Sequence, residues 1–155
     1  MGKVLNVIML LLAVLSGHLA SLAEEIRELP TWVKDLQSIS AQTMQTEVKA
    51  SYTNSRDYID NKEYKVVRLK GEGSLKKLPD PFEAMERLFI TNGWRKDFRY
   101  EADSHGSKGM AYGKGQCICI ISVSIDSSCD DRDRGHIPSK FWFEIDCRET
   151  NVGQQ

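Results

Sequence analysis

The side chains best suited to acid–base chemistry are two histidines in separate polar segments. His105 lies in a short turn with Asp103 and Lys108, and His136 lies near the end of a longer acidic loop. Histidine titrates near neutral pH, so such a pair could act as general acid and base while Lys108 binds a phosphate. That pattern predicts a small nuclease-like hydrolase. The alternative is two exposed loop histidines among Gly and Ser neighbours.

The acidic loop suggests a second chemistry, the binding of a divalent metal. Asp130, Asp131 and Asp133 carry carboxylate oxygens, which hard cations prefer. The spacing departs from the EF-hand pattern, however, because Gly135 occupies a ligand position and arginines alternate with the acids. A divalent-metal-binding domain is therefore one alternative, and a solvated charged loop that holds no cofactor is the other.

Four cysteines fall in the last third of the chain: Cys117, Cys119, Cys129 and Cys147. The spacing of the first two is C-x-C, whereas structural zinc sites use C-x(2–4)-C. Cysteines in an exported chain meet an oxidising compartment, where disulfides form. We therefore expect disulfides here rather than zinc.

Alternation of apolar residues predicts which cysteines pair. The odd positions of 117–125 and of 141–147 are all apolar or cysteine, so each segment has one apolar strand face. If Ile125 lies opposite Phe141 in an antiparallel pair, then Cys119 lies opposite Cys147, and a bridge between them follows. A slip by two residues would pair Cys117 with Cys147 instead. A second bridge, Cys117–Cys129, requires the intervening loop to fold back over the sheet.

The N-terminus has the features of a secretory signal peptide. Lys3 precedes an apolar run over 4–15, and Ser21 and Ala23 fit the small-residue cleavage site. The run is shorter than the roughly 18 to 20 residues that span a bilayer, so no stable membrane span is expected after cleavage. We expect residues 1–23 to be removed and 24–155 to form a single exported domain, periplasmic or secreted.

The remaining patterns predict an α+β fold. One helix is predicted over 79–93, with Asp80 as N-cap and Pro81 in the first turn, and another over 30–40. Strands are expected over 64–70, ended by the glycines at 71 and 73, and more weakly over 48–52. The C-terminal half is predicted to be a four-stranded antiparallel meander over 94–102, 109–112, 116–125 and 140–148. The sheet, with one or two upstream strands, would be packed by one or two helices.

Composition and motifs reduce the number of possible function classes but do not identify a ligand. The formal net charge of −1 gives no support for nucleic-acid binding, and no G-x-S-x-G or H-E-x-x-H motif occurs. We therefore favour an exported, non-catalytic domain that binds a protein, an envelope component or a small ligand. The hydrolase and the metal-binding domain remain the alternatives. Alternate turns of a meander share an end, so we expect His105 and His136 at the same end of the sheet.

Overall fold

The computed structural model describes residues 28–126 and 137–150. Within these ranges the chain forms helices α1 (Thr31–Met44) and α2 (Pro81–Thr91), a 3-10 turn at Phe98–Tyr100, and seven strands. The strands are β1 (Val48–Arg56), β2 (Glu63–Ser74), β3 (Arg95–Lys96), β4 (Ala102–Ser104), β5 (Ser107–Lys114), β6 (Cys117–Ile125) and β7 (Lys140–Glu149). All of these elements belong to one compact unit that begins at Thr31.

Several sequence predictions fall outside the described ranges. The predicted signal peptide over 1–23 lies outside them, as do Cys129, Asp130, Asp131, Asp133 and His136. Neither α1 nor α2 is long and apolar enough to cross a membrane.

The strands form one antiparallel sheet in the order β1-β2-β7-β6-β5-β3, with β4 also paired to β5. The predicted α+β architecture is confirmed: both helices are present, and two upstream strands extend the C-terminal meander. The weakly predicted strand around 48–52 is β1, which pairs with β2 along its whole length.

The predicted register of β6 and β7 is confirmed. Ile125 lies opposite Phe141 and Cys119 lies opposite Cys147, and a disulfide joins these two cysteines. The alternative Cys117–Cys147 pairing is therefore wrong. Cys117 carries a free thiol, and burial raises its pKa. Its other predicted partner, Cys129, is outside the described residues.

Helix α2 begins and ends as its sequence predicts. The Asp80 carboxylate accepts a hydrogen bond from the backbone N–H of Glu83 at 2.9 Å, and Pro81 stands in the first turn. At the other end Gly93 has φ 78, which lets the N–H of Trp94 donate to the Phe89 carbonyl at 3.0 Å. Both ends of the helix therefore satisfy backbone groups that would otherwise lack a partner.

The helices cover one face of the sheet, which we call the inner face. It carries the odd residues of β6 and β7, including the disulfide, and the even residues of β5. The Phe89 ring of α2 stacks on Tyr112 of β5 with 4.8 Å between the ring centroids. Trp94 contacts the Phe89 ring edge-on, with 5.4 Å between their centroids. Burial of each large side chain in this core contributes roughly 1.5 to 3 kcal/mol.

Strand β2 continues through the two glycines that were predicted to end it. Gly71 lies opposite Phe143 and Gly73 lies opposite Phe141. A Cβ atom at Gly73 would stand 2.3 Å from Cζ of Phe141, and one at Gly71 would stand 2.6 Å from Cε1 of Phe143. The glycines therefore make room for two aromatic rings of the neighbouring strand, which is a packing role rather than a turn.

The predicted single strand over 94–102 is also wrong. Asp97 interrupts it: its carboxylate accepts from the backbone N–H of Arg99 at 3.2 Å and from the Arg99 guanidinium at 2.9 and 2.6 Å. Such local hydrogen bonds compete with the strand ladder and favour the 3-10 turn. The turn breaks the alternation, so that Tyr100 is buried while Phe98 is 73% exposed.

Removing the disulfide should lower the stability of the fold. The bridge joins residues 28 apart in sequence, so the chain-entropy model gives a loss of about 3 to 4 kcal/mol in the free energy of unfolding. We expect this loss in a Cys119→Ala/Cys147→Ala double variant, measured by denaturant unfolding. Cys117→Ala is the matched control and should change little. Equal losses in the two variants would contradict the assigned pairing.

Gly73→Ala should destabilise the protein because the added methyl group overlaps the Phe141 ring. Overpacking of this kind costs about 1 to 3 kcal/mol. Gly113→Ala, in β5, is the matched control, since its Cβ would approach only the Cys117 carbonyl oxygen at 3.8 Å. Thermal unfolding of both variants would test the packing role, which fails if Gly73→Ala is as stable as the control.

Candidate functional site

The face of the sheet opposite the helices, the outer face, is divided into two halves. In one half the 3-10 turn lays Tyr100 against Ala111 and Ile118, with Ile120 packed beside them. In the other half no described helix or turn covers the strands, and Ser122 and Trp142 are exposed. We call these the closed half and the open half.

A buried carboxylate holds the closed half together. Asp57, which follows β1, is only 2% exposed. Its Oδ2 accepts from the Tyr100 hydroxyl at 2.6 Å and from the Arg148 guanidinium, and its Oδ1 accepts from the N–H of Ile59 at 2.9 Å. We call Asp57, Tyr100 and Arg148 the Asp57 latch. Because both carboxylate oxygens are occupied, the latch acts as a structural tie between distant segments.

Two further tyrosines surround the latch. The Arg148 guanidinium carbon lies 3.4 Å from the centroid of the Tyr64 ring, and the Tyr58 hydroxyl donates to the Tyr100 carbonyl at 2.8 Å. Burial, together with the hydrogen bond to Asp57, raises the pKa of Tyr100 well above its usual value. Tyr100 therefore stays protonated and remains a hydrogen-bond donor over the ordinary pH range.

The open half consists of two rows of residues that lie side by side across the strands. Pairing aligns Glu72, Trp142, Ser124 and Ser107 in one row, and Lys70, Glu144, Ser122 and Gly109 in the next. The side chains on β5 and β6 are thus small, while those on β2 and β7 are long or aromatic. Trp142 is 46% exposed and stands between the two kinds of surface.

A groove of about 420 Å³ lies on the β2 side of Trp142. We call it the outer groove; its charged and aromatic lining residues on the outer face are Glu47, Lys49, Lys70, Glu72, Trp142 and Glu144. Its volume is in the range of small-ligand sites, which run from roughly 300 to 1,000 Å³.

Charges in the outer groove are balanced. The Lys70 ammonium lies 2.7 Å from Oε1 of Glu144, and the Lys140 ammonium lies 2.9 Å from Oε1 of Glu72. The hydrogen bond to Glu72 raises the pKa of Lys140, which keeps that ammonium charged. The groove therefore offers both donors and acceptors without a strong net charge.

A second opening, the helix-side cleft, lies between the start of α2 and the β4–β5 turn. It measures about 450 Å³, and its charged lining is Asp80, Glu83, Glu86, Asp103 and Lys108. Most of these charges already serve the fold. Asp80 caps α2, Glu83 pairs with Arg87, and Glu86 lies 3.2 Å from the Lys96 ammonium and 3.8 Å from that of Lys108.

The residues predicted for hydrolysis are described only in part. His105 is exposed in the turn between β4 and β5, and the adjacent Gly106 carbonyl accepts from the N–H of Ile125 at 2.8 Å. This turn therefore adjoins the end of β6, from which the acidic loop departs. Lys108 faces α2 through its contact with Glu86. Because His136 lies outside the described residues, the placement of the two histidines at the same end of the sheet, and their joint role in hydrolysis, stay predictions.

The described part of the acidic loop serves the fold. The Asp126 carboxylate accepts from the N–H groups of Ser139 at 2.7 Å and Lys140 at 2.9 Å. These hydrogen bonds lower the pKa of Asp126, and the bond from Lys140 has the largest effect. They also join the end of β6 to the start of β7. Among residues 28–126 and 137–150, no group of three or more His, Cys, Asp or Glu side chains could hold a metal ion.

The sequence also predicts the orientation of Trp142, although the apolar residues on either side of it define the opposite face. Phe141 and Phe143 define the inner face of β7, so the residue between them must point outward. An outward-facing tryptophan among charged neighbours is unusual, and it indicates a candidate binding surface. The Asp57 latch had no such signal, since its partners are 43 and 91 residues away in the chain.

Comparison with protein-family models, curated proteins and solved structures found no match for this chain. Geometry and chemistry alone therefore indicate what the two openings can bind.

Breaking the Asp57 latch should destabilise the protein strongly. In Arg148→Met the Asp57 carboxylate stays buried without its charged partner, which costs about 3 to 5 kcal/mol. Arg87→Met, which removes an exposed ion pair on α2, is the matched control and should have little effect. Urea unfolding of the two variants measures the difference. Similar midpoints for both would show that the latch does not hold the closed half.

Proposed function

We propose that this chain is an exported, non-catalytic binding domain, and that its ligand lies in the outer groove. The ligand belongs to one of three classes: a protein, an envelope component or a small molecule. The observation that carries the proposal is the half-exposed ring of Trp142, held in the wall of a groove that also contains the Lys70–Glu144 ion pair. Tryptophan in such a position is the residue type that most often dominates binding energy.

The rigidity of the surroundings supports this choice of site. Trp142 lies on a strand with hydrogen-bonded neighbours on both sides, and its flanking residues Phe141 and Phe143 are fully buried. The ring is thus presented by a fixed scaffold, and little conformational entropy is lost on binding. In the helix-side cleft, by contrast, binding would compete with ion pairs that link α2 to the sheet.

Export is supported by the sequence and by the disulfide. A structural disulfide is typical of oxidising compartments such as the periplasm or the extracellular space. The features of residues 1–23 point to the same route. The proposal therefore places the outer groove where it would meet envelope or extracellular material.

Binding to a panel of envelope-derived carbohydrate, peptide and lipid fractions tests the proposal. Residues 24–155, with the disulfide formed, would be titrated with each fraction while intrinsic tryptophan fluorescence and calorimetric heat are recorded. We expect at least one fraction to bind, and Trp142→Ala to weaken that binding by about tenfold or more.

Phe98→Ala is the matched control, because Phe98 is an aromatic residue that is more exposed than Trp142 and lies outside the outer groove. It should bind as the unmodified chain does. The proposal is wrong if no fraction binds, or if Trp142→Ala and Phe98→Ala bind equally well.

A further inference from the structure

We infer that the outer groove binds a neutral carbohydrate, with one sugar ring lying against Trp142 and its hydroxyl groups reaching the flanking charged side chains. This inference rests on the proposed function and names the class of ligand for the same groove.

The shape of the groove's wall is the first argument. Side chains on a strand stand roughly perpendicular to the sheet, so the indole of Trp142 rises from the outer face as a flat apolar wall. Among the described strand residues of the open half, it is the one large exposed apolar side chain. A sugar ring has a face of C–H groups and a rim of hydroxyls, and thus offers one apolar surface of matching size. A lipid chain would require a wider apolar patch than one ring provides.

The polar groups beside the wall are the second argument. Carboxylates of Glu72 and Glu144 can accept hydrogen bonds from hydroxyl groups, while the ammonium of Lys70 can donate to them. Because Lys70 pairs with Glu144 and Lys140 pairs with Glu72, these side chains hold one another in place. A ligand with many hydroxyls can use donors and acceptors alike.

Charge balance argues for a neutral ligand. The lining contributes the carboxylates of Glu47, Glu72 and Glu144 and the ammonium groups of Lys49 and Lys70, and Lys140 pairs with Glu72 from beside the groove. At Lys70, Glu72 and Glu144 a strongly charged ligand would have to separate an ion pair to find a partner, while Glu47 and Lys49 add one charge of each sign. Hydroxyl groups can bind without separating the ion pairs.

The backbone beneath the groove argues against an extended peptide. Peptides that join a sheet pair with the free backbone groups of an edge strand. Strands β2 and β7, which form the floor, each have a hydrogen-bonded neighbour on both sides. Over β2 and β7, recognition must therefore come from side chains, as it does for sugars; the edge strand β1 contributes only Lys49 to the lining.

The other side of Trp142 favours an oligosaccharide over a single sugar. There the open half continues over Ser124, Ser122 and Gly109, whose small side chains leave the surface shallow. Ser122 is exposed. Further sugar units could extend across these residues and bind the hydroxyl groups of Ser122 and Ser124, so affinity should rise with the length of the glycan.

A glycan panel tests the inference. Neutral oligosaccharides of increasing length would be compared with uronic-acid and amino-sugar oligomers, unstructured peptides and lipid vesicles, by calorimetry and by ligand-observed NMR. We expect a neutral oligosaccharide to bind, with an affinity that changes little between low and high salt because no net charge is neutralised.

Three variants locate the bound sugar. Trp142→Ala should weaken binding by at least about tenfold, Trp142→Phe should keep most of it because a ring remains, and Glu144→Gln should weaken it several-fold. Phe98→Ala again serves as the control and should bind normally. Circular dichroism would confirm that each variant is folded.

The outcomes separate this inference from the proposed function. If Trp142-dependent binding is found only for peptides, vesicles or charged oligomers, the carbohydrate inference is wrong and the binding role of the groove stands. If a neutral oligosaccharide binds equally well to Trp142→Ala, the sugar lies elsewhere and the inference is wrong. If no class binds in a Trp142-dependent way, both proposals fail.

Discussion

The register between β6 and β7 is the constraint on which the rest of the structure depends. Cys119 faces Cys147 across these central strands, and the disulfide between them rules out a slip. A one-residue slip of a strand would exchange its two faces. This register therefore buries Phe141 and Phe143 under the helices and, by the same alternation, directs Trp142 to the outer face. The pairing of β6 with β7 therefore determines both the buried core and the position of the candidate site.

The outer face shows how a sheet can keep one of its surfaces partly uncovered. The helices cover only the inner face, so the outer face needs its own means of excluding water from Ala111 and Ile118. A short turn provides it by laying Tyr100 over them, and the Asp57 carboxylate fixes that turn. Where this cover ends, the strands carry charged pairs and serines that water can solvate. The boundary between the two halves therefore lies where the outward-facing residues change from apolar to polar.

Features that depend on neighbouring residues could be predicted from the sequence. The alternation in 117–125 and 141–147 predicted the register to within a two-residue slip, and Asp80, Pro81 and Gly93 were sufficient for the ends of α2. One error arose where a distant partner decides the conformation, and another where local side-chain hydrogen bonds decide it. Gly71 and Gly73 resemble a turn until the rings of β7 are placed beside them. Tyr100 follows the alternation of a strand until Asp97 forms its own hydrogen bonds with Arg99. The groove beside Trp142 requires β7 to pair with β2 of the β1–β2 hairpin, which lies far from it in the chain.

The hydrogen bonds of Asp126 have a consequence for how this protein could vary. They join the backbone where β6 ends to the backbone where β7 starts, so the two strands are tied together at the base of the connection. The length of a loop closed in this way adds only slowly to its entropic cost, by about 0.6 kcal/mol for each doubling. Residues could be inserted or exchanged between these anchor points without a shift of the strands. The connection is thus a position at which new segments, natural or engineered, could be carried on an unchanged sheet.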